Sequence, residues 1–222
     1  MNKFLLLALV SLTSISCSNS SEHEAVELKA IDVIRKNFIS SKAPKVLLDT
    51  RKIITRKKID NANVAVLLVE LENGQNGTLT PYPGQGVGST WLGADGATIT
   101  LDDGKFKATR GMSQDLMGSN TSMPEWSDIK QSANYMRTMF YLDGNNQIYS
   151  QFFNCNIKKS ANQFSINIME VEFRVKKYDE TCSDGMKKIS NVFMVDNKGT
   201  VRRSLQYHGP ALGYVKIEHL DR

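Results

Sequence analysis

The sequence predicts a mainly β protein whose strands form an antiparallel meander, closed as an open barrel or stacked as a two-sheet sandwich. Nine runs are rich in Val, Ile, Thr, Phe and Tyr and follow the two-residue period of a strand. Turn-forming residues separate several neighbouring runs. No ten-residue helical pattern recurs between the runs, which excludes a parallel βαβ sheet. Strands that expose one face must curl or stack to bury the other.

The strand-like runs begin at residue 45 and continue into the C-terminal part of the chain. They cover residues 45–54, 63–73, 97–103, 105–111, 135–143, 147–157, 163–179, 190–196 and 200–208. Short segments with Asp and Gly join three pairs of runs, namely Asp103–Gly104, Asp143–Asn146 and Asp196–Gly199. Such segments are typical of hairpin turns, so each pair is predicted to be an antiparallel hairpin.

Other segments depart from the strand pattern. Residues 25–40 place apolar residues at three- and four-residue steps, which predicts one N-terminal helix packed outside the sheet. Residues 115–119 and 126–133 are predicted to add short helical turns. Thr80–Gly96 holds two of the five Pro and five of the fifteen Gly, so it is predicted to be a long ordered loop leading into a strand near Trp91. Residues 25–222 then form a single β-rich domain.

The N-terminus has the layout of an export signal. Lys3 precedes the apolar stretch Phe4–Leu12, and small residues then lead to Cys17. The stretch is shorter than the roughly 20 residues that a membrane-spanning helix needs. A Cys at the cleavage point is typical of bacterial lipoproteins, so residues 1–16 are predicted to be a signal peptide and Cys17 the lipidated residue. An ordinary signal peptide that is cut elsewhere is the alternative.

The predicted anchor would hold the protein to a membrane without crossing it. Acyl chains on Cys17 attach a protein stably, since each buried CH₂ contributes about 0.8 kcal/mol. Residues 17–24 are predicted to be a lipidated tether. Residue 18 is Ser, whereas an Asp there usually retains a lipoprotein in the inner membrane. This favours the outer membrane, with the domain facing the periplasm and membrane lipid as the partner of Cys17.

Composition and charge agree with a soluble body on such an anchor. The hydrophobic fraction of 41% and the charged fraction of 23% are those of a globular domain. The net charge of +5 falls to +4 when Lys3 leaves with the signal peptide. This small excess does not predict nucleic-acid binding, and it is compatible with an anionic polymer or lipid headgroup nearby.

Two cysteines remain beside the predicted lipidation site. Cys155 and Cys182 are predicted to pair, because two leftover cysteines in an oxidising compartment usually form a disulfide. Two buried free thiols are the alternative. No CxxC or HxxxH spacing accompanies them, so no metal site is predicted.

No catalytic arrangement stands out in the sequence. The segment 84–89, GQGVGS, resembles a phosphate-binding loop only superficially, because no strand precedes it and no helix with Lys-Ser/Thr follows. It is predicted to be a flexible connection. Asp95, Asp102, Asp103 and Asp115 lie close together in sequence, but Asp95 and Asp103 each precede Gly and are predicted turn residues. No catalytic residue and no cofactor are therefore predicted.

Two surface features leave alternatives open. Arg51–Lys58, the densest basic run, is predicted to be a solvated edge strand protected by its charge. The alternative is contact with an anionic glycan or lipid headgroup. Trp91, Trp126 and Tyr82 are predicted to be core or loop anchors, with a sugar-stacking platform as the alternative.

Two longer segments carry a family resemblance. They are WLGADGATITLDDGKFKATRGMSQDLMG, from Trp91 to Gly118, and VDNKGTVRRSLQYHGPALGYVKIEHL, from Val195 to Leu220. Together they resemble the group 4 capsule polysaccharide lipoprotein family, GfcB/YjbF, over roughly residues 44–220. The second segment holds the family's Gly-Xaa-Val, Ser-Xaa-Gln and Gly-Pro elements, at Gly199, Val201, Ser204, Gln206, Gly209 and Pro210.

The resemblance implies an outer-membrane lipoprotein, mostly β, that is encoded among genes for capsule or exopolysaccharide production and export. It supplies no catalytic residues to transfer. The Gly-rich loop and the segment 91–118 are the predicted contact surface, and the candidate binding residues are Trp91, Asp95, Arg110, Asp115, Arg202 and Gln206.

Three functions compete at this point. The first is a non-enzymatic accessory factor that binds the polysaccharide or a polysaccharide-export protein. The alternative is a periplasmic carrier of lipid or lipoprotein acyl chains, which requires a large apolar cavity. A polysaccharide-modifying enzyme that uses Asp95 or Asp115 ranks last.

Overall fold

The computed structural model describes residues 49–83, 90–143, 145 and 147–222. In these ranges two short helices, α1 (Thr50–Ile53) and α2 (Arg56–Ala62), precede twelve strands. The strands are β1 (Leu67–Leu71), β2 (Asn76–Pro81), β3 (Thr90–Gly93), β4 (Thr98–Asp102), β5 (Lys105–Arg110), β6 (Leu116–Thr121), β7 (Ser132–Leu142), β8 (Ile148–Ile168), β9 (Val171–Ser183), β10 (Lys188–Asp196), β11 (Val201–Gly209) and β12 (Gly213–His219). The predicted signal peptide, Cys17, the tether, the helix over residues 25–40 and the segment 84–89 lie outside the described residues.

The twelve strands form one antiparallel sheet that curls into a nearly closed barrel, which confirms the predicted β class and its barrel form. The strand order is β5-β4-β3-β2-β1-β12-β11-β10-β9-β8-β7-β6. Strands β1 and β12 pair along their length, so the first and last strands meet in the middle of this order. The two edges, β5 and β6, are joined by a short loop and form the seam of the barrel.

Side chains close the seam beside the loop that joins β5 and β6. The Leu116 N–H donates to Thr109 Oγ1 at 2.9 Å. The Arg110 guanidinium donates to the carbonyl oxygens of Leu116 and Met117 at 3.1 and 3.4 Å. Unpaired edge strands are templates for aggregation. These bonds therefore use side chains of β5 to satisfy backbone groups of β6 that would otherwise be free at its edge.

The interior of the barrel is filled with side chains. Successive side chains of a strand point to opposite faces, and the inward set of each strand contributes to one core cluster. The cluster includes Trp91, Trp126, Tyr141, Phe153 and Phe193, which are all buried. Trp126 comes from the segment between β6 and β7, and this segment covers one end of the barrel.

A long hairpin made by β8 and β9 extends beyond the barrel wall. Its register shifts between Lys159 and Gln163, and its far end packs Ile166, Ile168 and Val175 against α2 and the outer side of β1 in a second core cluster. The hairpin turns at Met169 and Glu170, which both have positive φ, as a two-residue turn of this kind requires. The single strand predicted over residues 163–179 is therefore wrong.

The basic run Arg51–Lys58 is helical, so its predicted edge strand is wrong. Asp49 and Thr55 begin α1 and α2 by accepting hydrogen bonds from the backbone N–H groups of Arg51 and Lys58. Arg56 is buried and donates to the Leu220 carbonyl oxygen at 2.6 Å. Neither helix in the described ranges has the length and hydrophobicity that crossing a membrane requires.

Two further predictions are corrected by the strands themselves. The helical turn predicted over residues 115–119 is wrong, because β6 begins at Leu116 and pairs with β7. The long loop predicted over Thr80–Gly96 contains the end of β2 and all of β3, which pair with each other. The strand near Trp91 is confirmed as β3. Within residues 126–133 the structure has a turn at 126–128 and the start of β7.

Candidate functional site

The outer surface of β7, β8 and β9 carries a group of uncharged side chains that we call the amide face. Its members are Asn134, Met136, Asn154, Asn156, Thr181 and Ser183. Asn134, Asn156 and Thr181 stand side by side in one row of the strand register, and the other three form the next row. The six residues line an open depression of about 460 Å³.

The alternation of the strands determines which side chains reach this face. Tyr135, Cys155 and Cys182 are buried in the barrel, so the side chains next to them along each strand point outward. Cys155 and Cys182 stand opposite each other in the register of β8 and β9, and a disulfide joins them. The cross-link therefore ties together two strands that carry the amide face, on the side away from solvent.

Hydrogen bonds leave much of the polar capacity of the face free. The Asn156 amide donates to Asn134 Oδ1 at 2.7 Å. Among the described residues the Asn154 side chain has no hydrogen-bond partner, and it is exposed. Each amide can donate and accept at the same time, as can the hydroxyls of Thr181 and Ser183. The face therefore suits a ligand whose groups both donate and accept.

Apolar side chains border the face on one side. Phe152 lies two residues before Asn154 on the same side of β8, and Phe152 and Met136 are each 60% exposed. Ile148, at the start of β8, is 65% exposed. Exposed aromatic and aliphatic side chains beside polar groups are typical of recognition surfaces.

Three of the six residues of the predicted binding surface are buried. The Trp91 ring lies inside the barrel, nearly perpendicular to the His219 ring at a centroid distance of 5.3 Å. The Gln206 amide is also inside, where it bonds to backbone groups of Gly104 and Phe106. Arg202 forms an ion pair with Asp196 at 2.7 Å. These residues hold the fold together and do not line a surface.

Of the other three predicted residues, Asp95 and Asp115 lie in connections between strands and Arg110 ends β5. Asp95 accepts a hydrogen bond from the Ala97 N–H at 3.0 Å. Asp115 accepts from the backbone N–H groups of Gly111 and Met112 at 3.1 and 3.0 Å. Arg110 is the guanidinium that bonds across the seam. Asp95 therefore has the turn role predicted from sequence, and Asp115 accepts hydrogen bonds from backbone N–H groups in the same way.

The aromatic residues do not form a sugar platform. Trp126 packs against Phe193 and Tyr178 at centroid distances of 5.1 and 5.0 Å, and Trp91 is buried elsewhere in the core. Tyr82 is 42% exposed on the connection that follows β2, whereas both Trp rings are buried. The prediction of core anchors holds for the two Trp residues.

A polar network crosses the interior of the barrel. The buried Glu180 carboxylate accepts hydrogen bonds from Arg137, at 2.7 Å, and from Tyr135 and Asn191. The Asn191 side chain in turn accepts from the Tyr207 N–H at 2.6 Å. Burial raises the pKa of Glu180, while Asn191 and Lys105 oppose the rise. The network joins four strands and is structural, because none of its charged groups reaches solvent.

The family profile described as group 4 capsule polysaccharide lipoprotein GfcB, YjbF matches residues 32–220. The chain belongs to this group 4 capsule polysaccharide lipoprotein family. The match spans all twelve strands, and so it covers the amide face, the seam and the interior network. No curated protein sequence matches the chain.

The crystal structure of a hypothetical lipoprotein supports the fold of this family member. The hypothetical lipoprotein YmcC from Escherichia coli K12 superposes with a TM-score of 0.67 at 19% sequence identity. The alignment covers 93% of this chain and 98% of YmcC. At this identity the similarity is one of fold.

The residues that carried the family resemblance serve turns and close packing in this chain. Gly199 has a φ of +85° in the turn between β10 and β11. Gly104 has a φ of +77°, and a Cβ there would lie 2.3 Å from Val201 Cγ2. Gly209 faces the Tyr141 ring, which an added Cβ would approach to 3.0 Å. These elements therefore report how the family folds.

His208 lies in the second family segment, and the sequence predicted no role for it. Its side chain is fully buried. Its Nε2 lies 3.0 Å from Thr109 Oγ1, and its Nδ1 has no partner among the described residues. Burial lowers the pKa of His208 to about 4, although Asp115 opposes the shift. Among the described residues, no three His, Cys, Asp or Glu side chains are grouped as metal ligands would be.

We expect His208 to weaken the fold in acid. Its folded pKa of about 4 is below its unfolded value of 6.5, so the unfolded chain binds more protons between these values. The contribution of neutral His208 to the free energy of unfolding is complete above pH 6.5. About 3 kcal/mol of it is lost as the pH falls toward 4. Urea unfolding of the native protein and of His208→Gln at pH 7 and pH 4 measures this. Equal pH dependence in the two proteins would contradict the assignment.

The amide face was missed by sequence reasoning. Asn154 and Asn156 sit in the run 147–157, which was predicted to be a strand, and the pairing of Cys155 with Cys182 implies that these two side chains point the other way. The sequence therefore indicated that these two Asn side chains point outward. What the sequence does not reveal is the register that brings β7 and β9 beside them.

Proposed function

We propose that this chain is a non-enzymatic accessory factor in capsule or exopolysaccharide production or export, anchored by lipid on Cys17. The family match over residues 32–220 carries this proposal. The proposed location is the outer membrane, with the barrel in the periplasm. The lipoprotein layout of residues 1–17 and the Ser at position 18 support it.

The roles of the carboxylates support a function without catalysis. Asp95 and Asp115 accept bonds from backbone N–H groups in turns, and Glu180 is enclosed with Arg137. An acid–base catalyst needs to reach a substrate proton, and these groups are occupied in holding the fold. The exposed amide face offers binding chemistry and no ionisable group.

The alternative of an acyl-chain carrier gains no support from the described residues. A carrier requires an apolar cavity, and the barrel interior in these ranges is occupied by packed aromatic side chains and the network around Glu180. The depression of about 460 Å³ is open and lies on the outside, with amide and hydroxyl groups in its lining.

Removing the anchor is expected to abolish the function while the barrel stays intact. The test compares a deletion strain that carries the native gene with one that carries a form whose residues 1–17 are replaced by the signal peptide of a soluble secreted protein. We expect the deletion to lose surface polysaccharide, the native gene to restore it and the unanchored form to fail. Only the unanchored protein should leave the membranes in alkaline carbonate, because acyl chains hold the native one.

A second variant separates anchoring from location. Ser18→Asp keeps the lipidated Cys17 and is expected to hold the protein in the inner membrane, where it should not restore surface polysaccharide. Full restoration would contradict the outer-membrane location. Normal surface polysaccharide in the deletion strain would contradict the proposed function itself.

A further inference from the structure

We propose that the amide face binds an uncharged stretch of a polysaccharide chain. The inference rests on the proposed function and names the ligand chemistry and the contact residues. It depends on three features of the face, namely the spacing of its polar groups, the absence of charge and the position of its apolar border.

The spacing of the face suits a chain that lies along the sheet. The two rows of three side chains are two residues apart along each strand, or about 7 Å, and neighbouring strands are about 5 Å apart. The depression is open on its solvent side. An open groove of this kind accepts a segment of a long polymer, whose ends continue beyond the contact.

The polar groups match sugar hydroxyls. The bond from Asn156 to Asn134 fixes both amides and leaves one donor group on Asn134 and one acceptor on Asn156. Asn154, between Met136 and Ser183 in the register, has its donor and acceptor free among the described residues. A hydroxyl that both donates and accepts can bond to two such groups at once.

The six residues themselves carry no charge, which argues against a strongly ionic partner. None of the six residues ionises, although 51 of the 222 residues of the chain are charged. In the register, Lys158 and Asp179 stand in the adjoining row, and the exposed Lys188 of β10 stands opposite Ser183 at the border of the face. Nucleic acids and acidic polymers are bound mainly through Lys and Arg. The face therefore fits the uncharged part of a glycan.

The position of the apolar residues favours a glycan over a protein. Protein interfaces have an apolar centre and a polar rim. Here Asn154 and Asn156 occupy the centre, and the exposed Met136 and Phe152 lie at the border. A sugar ring can place its C–H side on Phe152 while its hydroxyls reach the amides.

The test measures binding by the full-length acylated protein in detergent micelles. The probe is surface polysaccharide from the producing strain, cut to oligosaccharides, in native form and after chemical reduction of its carboxyl groups. Both forms should bind, with little dependence on salt, because no counterions are released from phosphate or carboxylate groups. Asn154→Asp and Phe152→Ala should each weaken binding about tenfold.

Matched controls carry the same changes elsewhere. Asn73→Asp adds a charge in an exposed turn, where its side chain accepts from the Gln75 N–H and an Asp can do the same. Leu205→Ala removes an apolar side chain that is 42% exposed on β11. Both controls should bind as the native protein does. Far-UV circular dichroism and the unfolding temperature verify that all four variants fold.

Several results would overturn the inference. These are no binding by the native protein, loss of binding after carboxyl reduction, equal binding by all variants, or a photo-crosslinker at position 136 that labels a protein in cells and no glycan. Complementation of the deletion strain distinguishes failure of this inference from failure of the proposed function. If the deletion strain loses surface polysaccharide and Asn154→Asp restores it fully, the inference fails while the accessory function stands.

Discussion

Replacing Arg137 with Met is expected to lower the free energy of unfolding by about 3–5 kcal/mol, because Glu180 then stays inside the barrel without its cation. Arg137 and Glu180 are both buried, and their side chains are 2.7 Å apart. Tyr135 and Asn191 continue to donate to the carboxylate, but neither carries a charge. Urea unfolding followed by far-UV circular dichroism at pH 7 measures the loss.

A double variant distinguishes the stranded charge from lost packing. Arg137→Met combined with Glu180→Gln removes both charges and keeps an acceptor for Tyr135, so it should be more stable than Arg137→Met alone. The pH dependence gives a second criterion. Burial raises the pKa of Glu180 in the folded protein, so the folded single variant binds a proton more readily than the unfolded chain. The stability of Arg137→Met should therefore rise as pH falls from 8 to 5.

Either of two results would show that the stranded charge of Glu180 does not cause the loss of stability expected in Arg137→Met. One is a loss below about 1 kcal/mol in Arg137→Met, which is the range of an exposed pair. The other is a double variant that is no more stable than the single one.

The fold class was predictable because the strand signal is local and repeated. Turn residues such as Asp103–Gly104 and Asp196–Gly199 mark hairpins directly, and the structure places turns at both. The turn at Met169–Glu170 was missed because neither residue is a usual turn former, and the strand pattern runs through it. The helices α1 and α2 were missed because the basic run was interpreted as a charged edge strand. Asp49 and Thr55 instead start helices by accepting hydrogen bonds from nearby backbone N–H groups.

The candidate site was less predictable because it depends on which strands become neighbours. Trp91 and Gln206 were placed on a surface because they lie in the two segments that carry the family resemblance, yet both point into the barrel. The interior of this barrel contains Glu180, Arg137, Gln206 and His208, whereas Phe152 and Met136 are on the outside. Residue type alone therefore gives the wrong side for these residues, and only the register corrects it.

Replacing Trp126 with Ala is expected to lower the free energy of unfolding by about 3–5 kcal/mol, the usual range for removing a buried aromatic side chain. The Trp126 ring is 4% exposed and covers one end of the barrel, where it packs against Tyr178 and Phe193. Its indole N–H donates to the Asp103 carbonyl oxygen at 3.2 Å, and the Lys105 ammonium lies 4.9 Å from the ring centre. An Ala at this position removes all four contacts and leaves a cavity.

Trp126→Phe provides the matched control, because it keeps an aromatic ring between Tyr178 and Phe193 and loses the bond to Asp103. We expect it to lose clearly less stability than Trp126→Ala, since most of the packed volume remains. Far-UV circular dichroism during urea unfolding is the suitable signal, because the substitution removes one of the two Trp fluorophores. Equal losses in the two variants would mean that the hydrogen bond to Asp103 closes this end of the barrel, and a loss below about 1 kcal/mol in both would mean that the segment carrying Trp126 does not stabilise the barrel.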